Sequence, residues 1–583
     1  MVELTGPMLS TLLVPGLSPG LILILGALLL PFLPGKLRVI WMVLLPLLGL
    51  AQALGLNPGL SGQIEVMGLE LTTIRLDGLS RIFGIIFLIA AFLGGIYSFH
   101  RGGWVEHTAG MIYAGSAIGA VYAGDLVTLF LYWEGTAIAS VFLIWASALD
   151  HGNGQRKPDA IATGMRYLVI QVGSGVLLLA GTMVHFGETG SIAFGSFDLY
   201  TTAGFLIFAA FAIKAAFPFL HNWLQDAYPT ATVTGTVMLS AFTTKLAIYA
   251  LARGFAGTEI LVPIGAAMTA FPIFFAVIEN DLRRVLAYSL NNQLGFMVVG
   301  IGIGTDLAVS GAAAHAFCHI IYKALLFMSV GAVLFRTGTA KGSELGGLYR
   351  TMPLTMVFCC IGAASISAFP LFSGFVSKSL IISAALKEGY FVTWMMLLFA
   401  SAGVFHHSGI KIPFFAFFAH DSGMRPKEAP MNMLIAMGIA SFICIGVGVF
   451  PGLLYDLLPY DVKYHAYTVE HVVTQMQLLM FSALAFTVLM KTGLYPPELR
   501  STHLDTDWIY RKPLAWLLGG FRDWIVGWRG LAGDKGAVAW SDLAKELYRQ
   551  HGPTGTLART QPSGSMAFWM AVLLLAFLVF SFL

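Results

Sequence analysis

Cysteine is scarce in this chain of 583 residues: Cys318, Cys359, Cys360 and Cys444 are all there is. Each lies inside an apolar stretch, without the paired spacing that a disulfide framework or a zinc site needs. They read as small apolar fillers. Charge is also short. Lys and Arg total 33 and Asp and Glu 30, together 11% of the chain, under half the share of about 25% usual in soluble domains. So few charges cannot coat a water-facing surface. The net charge of +3 comes without a basic run, which sets nucleic-acid binding aside. The opening stretch MVELTGPMLSTLLVPGLSPG has no positive n-region, so the first apolar run is expected to remain as a span. Nucleotide loops, haem-ligand pairs and cysteine clusters are missing as well, which counts against a stand-alone redox enzyme; no cofactor and no metal are expected.

What is abundant is apolar sequence. Hydrophobic residues make up 57% and the mean hydropathy is +0.79. The runs number about sixteen, each near the roughly 20 residues that cross a bilayer. The expected fold is an all-α polytopic membrane protein of about 16 transmembrane helices. Basic residues in the alternate loops set the orientation. Twelve, among them Lys36, Arg38, Arg101, Arg156, Lys157, Arg283, Arg284, Lys341 and Arg350, fall on one side, and four, Arg75, Arg253, Lys387 and Lys463, on the other. The first side is therefore expected in the cytoplasm, with both termini outside and the protein in the cell's inner (plasma) membrane. Before the last span, RKPLAWLLGGFRDWIVGWRGL interleaves Trp516, Phe521, Trp524 and Trp528 with Arg511, Lys512, Arg522 and Arg529. It reads as a short cytoplasmic helix lying at the interface, against the alternative of a loose linker through Gly519 and Gly520.

A charge at the bilayer centre costs about 2.5–3.5 kcal/mol on insertion scales, so each one is a functional hypothesis. Glu134, Lys214, Lys245, Lys323, Lys378 and Lys411 all sit at membrane depth. One alone could snorkel to a span end; six together point to function. A buried lysine changes protonation when a carboxylate or water approaches, so a series of them can relay protons. His315, His319 and Lys323 are spaced i, i+4, i+8 and line one helix face. The two histidines also fit a metal or haem site, but no third ligand and no HExxH glutamate supports one. His406 and His407 point to different faces near Lys411, so at most one joins the lining. Pro218 follows Lys214 by one turn, and Pro370 and Gly374 precede Lys378. These are ordinary kinks, or broken helices of the kind that mark ion sites in transporters. Breaks on two charged spans suggest two structural repeats.

Over roughly residues 70–450 the chain resembles the antiporter-like membrane subunits shared by respiratory complex I and the Mrp-type multisubunit cation/proton antiporters. The strings PFLHNWLQDAYPTATVTGTVMLSAFTTKLAIYALAR, ENDLRRVLAYSLNNQLGFM, HAFCHIIYKALLFMSVG and AFPLFSGFVSKSLI carry the likeness. It implies that Glu134 and Lys214 pair in a first half-channel, that Lys245 is the central relay, and that His319 and Lys323 connect it to Lys378. His315 and Lys411 are further candidates. It also implies two inverted five-helix repeats, each with a broken helix, with Lys214 and Lys378 at equivalent positions. Two departures stand out: WLQDAYPTATVTG replaces the family's WLPDA and PSPVSA-like turn, and the sixth span lacks the aspartate of some relatives. The expected layout is N-terminal spans over 1–105, a first repeat over 106–253, a second over 258–417, C-terminal spans over 432–491, a cytoplasmic amphipathic tail over 492–565 and a last span over 566–583. The implied function is a proton-translocating subunit of an Mrp-like cation/proton antiporter; the alternative is a proton-pumping membrane subunit of a complex I-type oxidoreductase. Either way the partners are other membrane subunits, protons, with sodium or potassium in the antiporter, and the lipid bilayer.

Overall fold

A computed structural model describes residues 16–100, 103–149, 159–495, 504–551 and 563–581. The chain divides into two compact units, Met1–His503 and Leu504–Leu583. In the first, helices Pro19–Ala27 (α1) and Gly35–Gly55 (α2) lead to an antiparallel hairpin, Gly59–Val66 (β1) and Leu69–Leu76 (β2). This hairpin corrects the expectation of helices alone. Its turn is Met67 and Gly68, both at positive φ (52° and 77°), the combination that matches the twist of paired strands. Asp77 then caps helix Gly78–Tyr97 (α3) through Ser80.

Two sets of spans follow. The first comprises Trp104–Tyr122 (α4), Leu126–Leu149 (α5), Ala160–Thr189 (α6), the interrupted pair Thr202–Lys214 (α7) and Asn222–Thr230 (α8), and the pair Val233–Ala241 (α9) and Thr243–Gly254 (α10). The second comprises Leu261–Ile278 (α11), Leu282–Ile303 (α12), Asp306–Thr337 (α13), the interrupted pair Pro353–Ile366 (α14) and Ser373–Lys387 (α15), and Phe391–Val404 (α16), which runs on through π-helical turns Phe405–Ile410 and Phe414–Phe418. Helices Met431–Val449 (α17) and Val469–Thr492 (α18) complete the unit. Among the described residues, ten helices are long and apolar enough to cross a membrane, and four shorter apolar ones accompany them. This is a multi-span membrane protein. The 32-residue α13 packs against α9, α12, α14, α15 and α17 and is buried almost throughout.

The second unit holds Pro513–His551 (α19) and Ser563–Ser581 (α20). At 39 residues, α19 is not the short helix expected. Each glycine costs a helix about 1 kcal/mol relative to alanine but keeps its backbone hydrogen bonds, so Gly519 and Gly520 do not end it. The side chains of Trp528 and Arg529 lie outside the described residues, as do Arg101, Arg156 and Lys157.

The two breaks share one geometry. After α7, Ala216 and Phe219 take φ of 58° and 69°; after α14, Ala368 and Leu371 take 57° and 73°. Left-handed backbone at non-glycine residues costs on the order of 1–3 kcal/mol each and persists only where the surroundings fix it. Here the fixing bonds repeat pairwise. Ala216 N–H donates to Ile213 O at 3.2 Å and Ala368 N–H to Ser365 O at 3.1 Å, while Phe217 N–H donates to Ala212 O at 3.2 Å and Phe369 N–H to Ala364 O at 3.0 Å. Proline supplies the stop in both: Pro218 and Pro370 cannot donate to the helix ladder.

Candidate functional site

Every expected lysine is buried, and each ammonium ends on oxygen. Lys214, the last residue of α7, donates to Trp133 O at 2.7 Å and to Thr136 Oγ1 at 2.8 Å and lies 4.2 Å above the Trp133 ring. Glu134 is the next residue on α5, half-buried, with Oε1 lacking a hydrogen-bond partner among the described residues. Its carboxylate rests against Gly175 of α6, where a Cβ would stand 1.4 Å from Oε1. Glu134 and Lys214 are within electrostatic reach. The described residues contain no ion pair between them within 4.0 Å. The two charges are therefore neighbours without a direct ion pair.

Lys245 donates to Ser240 O at 2.6 Å across the interruption between α9 and α10. Tyr113 from α4 holds the other side of that interruption: its hydroxyl accepts from Thr243 N–H at 3.0 Å. Side chains inserted into the helix ladder in this way account for the break at Phe242, which has no proline. On α13, the predicted stripe is present. The rings of His315 and His319 lie 6.1 Å apart, nearly parallel, and Lys323 donates to Ser289 Oγ at 2.8 Å. Both ring nitrogens of His319 lack partners among the described residues. His319 is within electrostatic reach of Lys245, Lys323, His315 and Lys378. His315 Nδ1 lies 3.0 Å from Ser377 Oγ, and Tyr322 joins His315 Nε2 to Gln293 at 3.4 and 3.1 Å. Lys378, beside Ser377, donates to Ile366 O at 2.7 Å, the carbonyl that ends α14.

The expected equivalence of Lys214 and Lys378 is corrected by the break geometry. Counting from the matched pairs Ala216/Ala368 and Phe219/Leu371, Lys214 falls opposite Ile366, and Lys378 opposite Asp226, which pairs with Arg166 at 2.7 Å. One lysine precedes its break and the other follows it. Lys378 reaches back across the gap, as helical side chains lean toward the N-terminus, and brings its ammonium to the carbonyl at the position matching Lys214.

Lys411 stands apart. It donates to Val277 O at 2.6 Å, Glu279 O at 2.7 Å and Ala276 O at 3.3 Å, closing the carboxyl end of α11, where cations are favoured. Of the histidine pair, His407 is wholly buried and bonded to Ser408 at 2.8 Å, whereas the His406 ring stacks on Tyr495. Among the described residues, no three His, Cys, Asp or Glu side chains converge to hold a metal, and the four cysteines are unpaired.

Sequence reasoning missed the neutral partners: Trp133, Thr136, Tyr322, Ser377, Ser289 and Ser408. Four of them sit beside or a turn from a charged residue already named. Another signal was the run SLNNQ at 289–293, whose Ser289, Asn291, Asn292 and Gln293 are all wholly buried.

A model of the family described as NADH:quinone oxidoreductase/Mrp antiporter, TM matches residues 123–406, the stretch that holds every charged candidate except Lys411. The chain is 30% identical to the D subunit of the Na(+)/H(+) antiporter of Alkalihalophilus pseudofirmus over 366 residues, 58% of this chain and 72% of that one. The chain belongs to the antiporter-like membrane-subunit family shared by Mrp antiporters and complex I. The larger A subunit of the same organism's antiporter is 29% identical over 435 residues, 66% of this chain and 53% of that one. The chain thus spans about half the length of that larger relative. Among solved structures, the Mrp complex from Dietzia sp. DQ12-45-1b shares the fold with a TM-score of 0.73 at 23% identity, covering 97% of this chain and 62% of that one.

Proposed function

We propose that this chain is the proton-translocating subunit of a multisubunit Mrp-like monovalent cation/proton antiporter. Protons move along the midplane series Glu134, Lys214, Lys245, His319, Lys323 and Lys378, with His315 assisting between the last two. One observation carries the reading. Lys214, Lys245, Lys323 and Lys378 are at most 1% exposed, and their ammonium groups are held by carbonyl or hydroxyl oxygens and not by carboxylates. A lysine locked in an ion pair is a fixed charge. One held by neutral oxygens in a low-dielectric site is the kind whose proton can leave. The two five-helix sets act as repeats, each with its break beside a lysine. Its partners are the other membrane subunits of the assembly. We assign the basic loops to the cytoplasm and both termini to the outside of the plasma membrane.

Glu134→Ala and Lys214→Ala should each abolish pH-gradient collapse on adding sodium or potassium to energised vesicles, with assembled protein at normal levels. Wild-type flux in either variant would make the pair structural. If both variants block proton uptake but neither cation moves the gradient in the unmodified complex, the oxidoreductase reading takes the place of the antiporter. For the orientation, a cysteine introduced at Lys463 should react with impermeant reagents from outside; labelling from the cytoplasmic side alone would overturn it.

A further inference from the structure

Among the wholly buried side chains outside the midplane series are Ser289, Ser408 and His407. They form an unbroken polar line to Lys323. The Lys323 ammonium donates to Ser289 Oγ at 2.8 Å, Ser408 Oγ donates to the same oxygen at 2.8 Å, and His407 Nδ1 lies 2.8 Å from Ser408 Oγ. With the Ser408 proton committed to Ser289, the Ser408 oxygen offers only lone pairs to the ring, so Nδ1 is the donor there and Nε2 is the bare acceptor. Nε2 is buried and has no partner among the described residues. The local backbone suits the task. His407 and Ser408 are consecutive, and the π-helical turn Phe405–Ile410 that holds them is a rare form found mostly at functional sites.

The line runs toward a surface. One turn beyond His407, Lys411 closes the end of α11 with its ammonium on three carbonyls. There Arg284, 45% exposed, approaches Glu279 at 3.7 Å.

We propose that His407, Ser408 and Ser289 form a loading branch that returns protons to Lys323 from the membrane face bearing the α11–α12 loop. Lys323 is then a junction between the midplane series and a second inlet. The proposal rests on the proton-translocating reading above. Its transfers balance. Once Lys323 is neutral, Ser289 turns its hydroxyl proton onto Nζ and takes the proton of Ser408, Ser408 takes the Nδ1 proton of His407, and His407 takes one at Nε2 from hydronium in the inlet. One proton enters, one reaches Nζ, and tautomer exchange of the ring with rotation of the two hydroxyls resets the line.

The experiment measures proton flux in vesicles carrying the assembled complex with His407→Ala, His407→Asn or Ser408→Ala, beside Glu134→Ala. Each of the three branch variants is expected to lose at least tenfold at wild-type levels of assembled protein. Asparagine keeps an N–H donor toward Ser408 but has no second ring nitrogen, so it rescues a scaffold and not a relay. Near-normal flux in His407→Asn or Ser408→Ala, with Glu134→Ala inactive, overturns the branch and leaves the main reading standing. Near-normal flux in Glu134→Ala as well removes both. If His407→Ala fails to assemble, Ser408→Ala, which deletes a single oxygen, decides.

Discussion

Gly175 offers a test of the Glu134 site that touches no charged residue. A Cβ built at Gly175 stands 1.4 Å from Glu134 Oε1 and 2.5 Å from its Cδ. Non-bonded heavy atoms settle near 3.5 Å or beyond, so the carboxylate must retreat by about 2 Å. Forcing extra volume into a packed site costs about 1–3 kcal/mol, and an off-rotamer side chain about 0.5–1.5 kcal/mol. Helix propensity works the other way, because alanine favours α6 by about 1 kcal/mol over glycine. Gly175→Ala should therefore leave the protein folded and assembled while unseating the carboxylate from its place beside Lys214. If 1–3 kcal/mol of that placement is lost, proton flux falls roughly 5- to 150-fold. Gly173, on the same helix two residues earlier, is the internal control: a Cβ there meets nothing within 4 Å, so Gly173→Ala should transport normally. The assay is proton uptake by vesicles containing equal amounts of assembled complex. Wild-type flux in Gly175→Ala, or equal loss in Gly173→Ala, refutes the argument that the position of the Glu134 carboxylate limits transport.

Two further predictions follow from other contacts. Lys378→Arg keeps a positive charge beside Ile366 O but effectively never releases its proton, having a pKa above about 12, so it should cut flux nearly as much as Lys378→Ala; near-normal transport in the arginine variant would make Lys378 a fixed anchor. On the hairpin side, the Asp77 carboxylate accepts from Arg253 twice at 2.8 Å and from Arg75 at 3.1 Å. Burial pushes its pKa up, but the hydrogen bond and charge of Arg253, the Ser80 N–H and Arg75 outweigh burial and hold the carboxyl well below the usual range. A depressed carboxyl stabilises the fold above its unfolded pKa, and that share is lost only as pH falls through the lower folded value. Asp77→Ala should destabilise the protein at pH 7 by at least the roughly 0.5–2 kcal/mol of a lost helix cap. Melting in detergent should show the deficit undiminished down to about pH 5, above the usual carboxylate range, and shrinking only in stronger acid. Equal melting of variant and wild type at pH 7 would refute it.

Much of the molecule was legible in the sequence because membrane insertion imposes a severe filter. Hydrocarbon accepts apolar helices and little else, so the apolar runs became helices, and any charge within them stood out. Proline made the breaks at 218 and 370 visible for the same reason: a residue without an N–H cannot sit silently in a ladder. The interruption at Phe242 was not visible, since it comes from Tyr113 and Lys245 inserting their side chains, which no local pattern announces. Nor was the hairpin, whose outer strand is mostly exposed and whose Met-Gly turn is not a usual signature. The tail helix was expected to be short because the interleaved aromatic and basic pattern covers only the stretch from Arg511 to Leu531, whereas the helix runs for 39 residues.

By itself the sequence determined which ionisable groups lie at membrane depth: one glutamate, five lysines and the histidine stripe of α13. It could do so because the cost of inserting an unpartnered charge is set by residue type and depth. Only the tertiary structure decided what holds each charge. Lys214 rests on Trp133 O and Thr136, and not directly on Glu134. Lys245 rests on Ser240 O and Lys378 on Ile366 O. Backbone carbonyls are the same in every residue, so the sequence shows that a buried ammonium must find an oxygen but not which break in which helix will supply it. The same limit explains Lys214 and Lys378. The order of lysine and proline already sets Lys214 before its break and Lys378 after, and only the hydrogen bonds that match the breaks residue by residue reveal that the Lys378 ammonium returns to the position of Lys214.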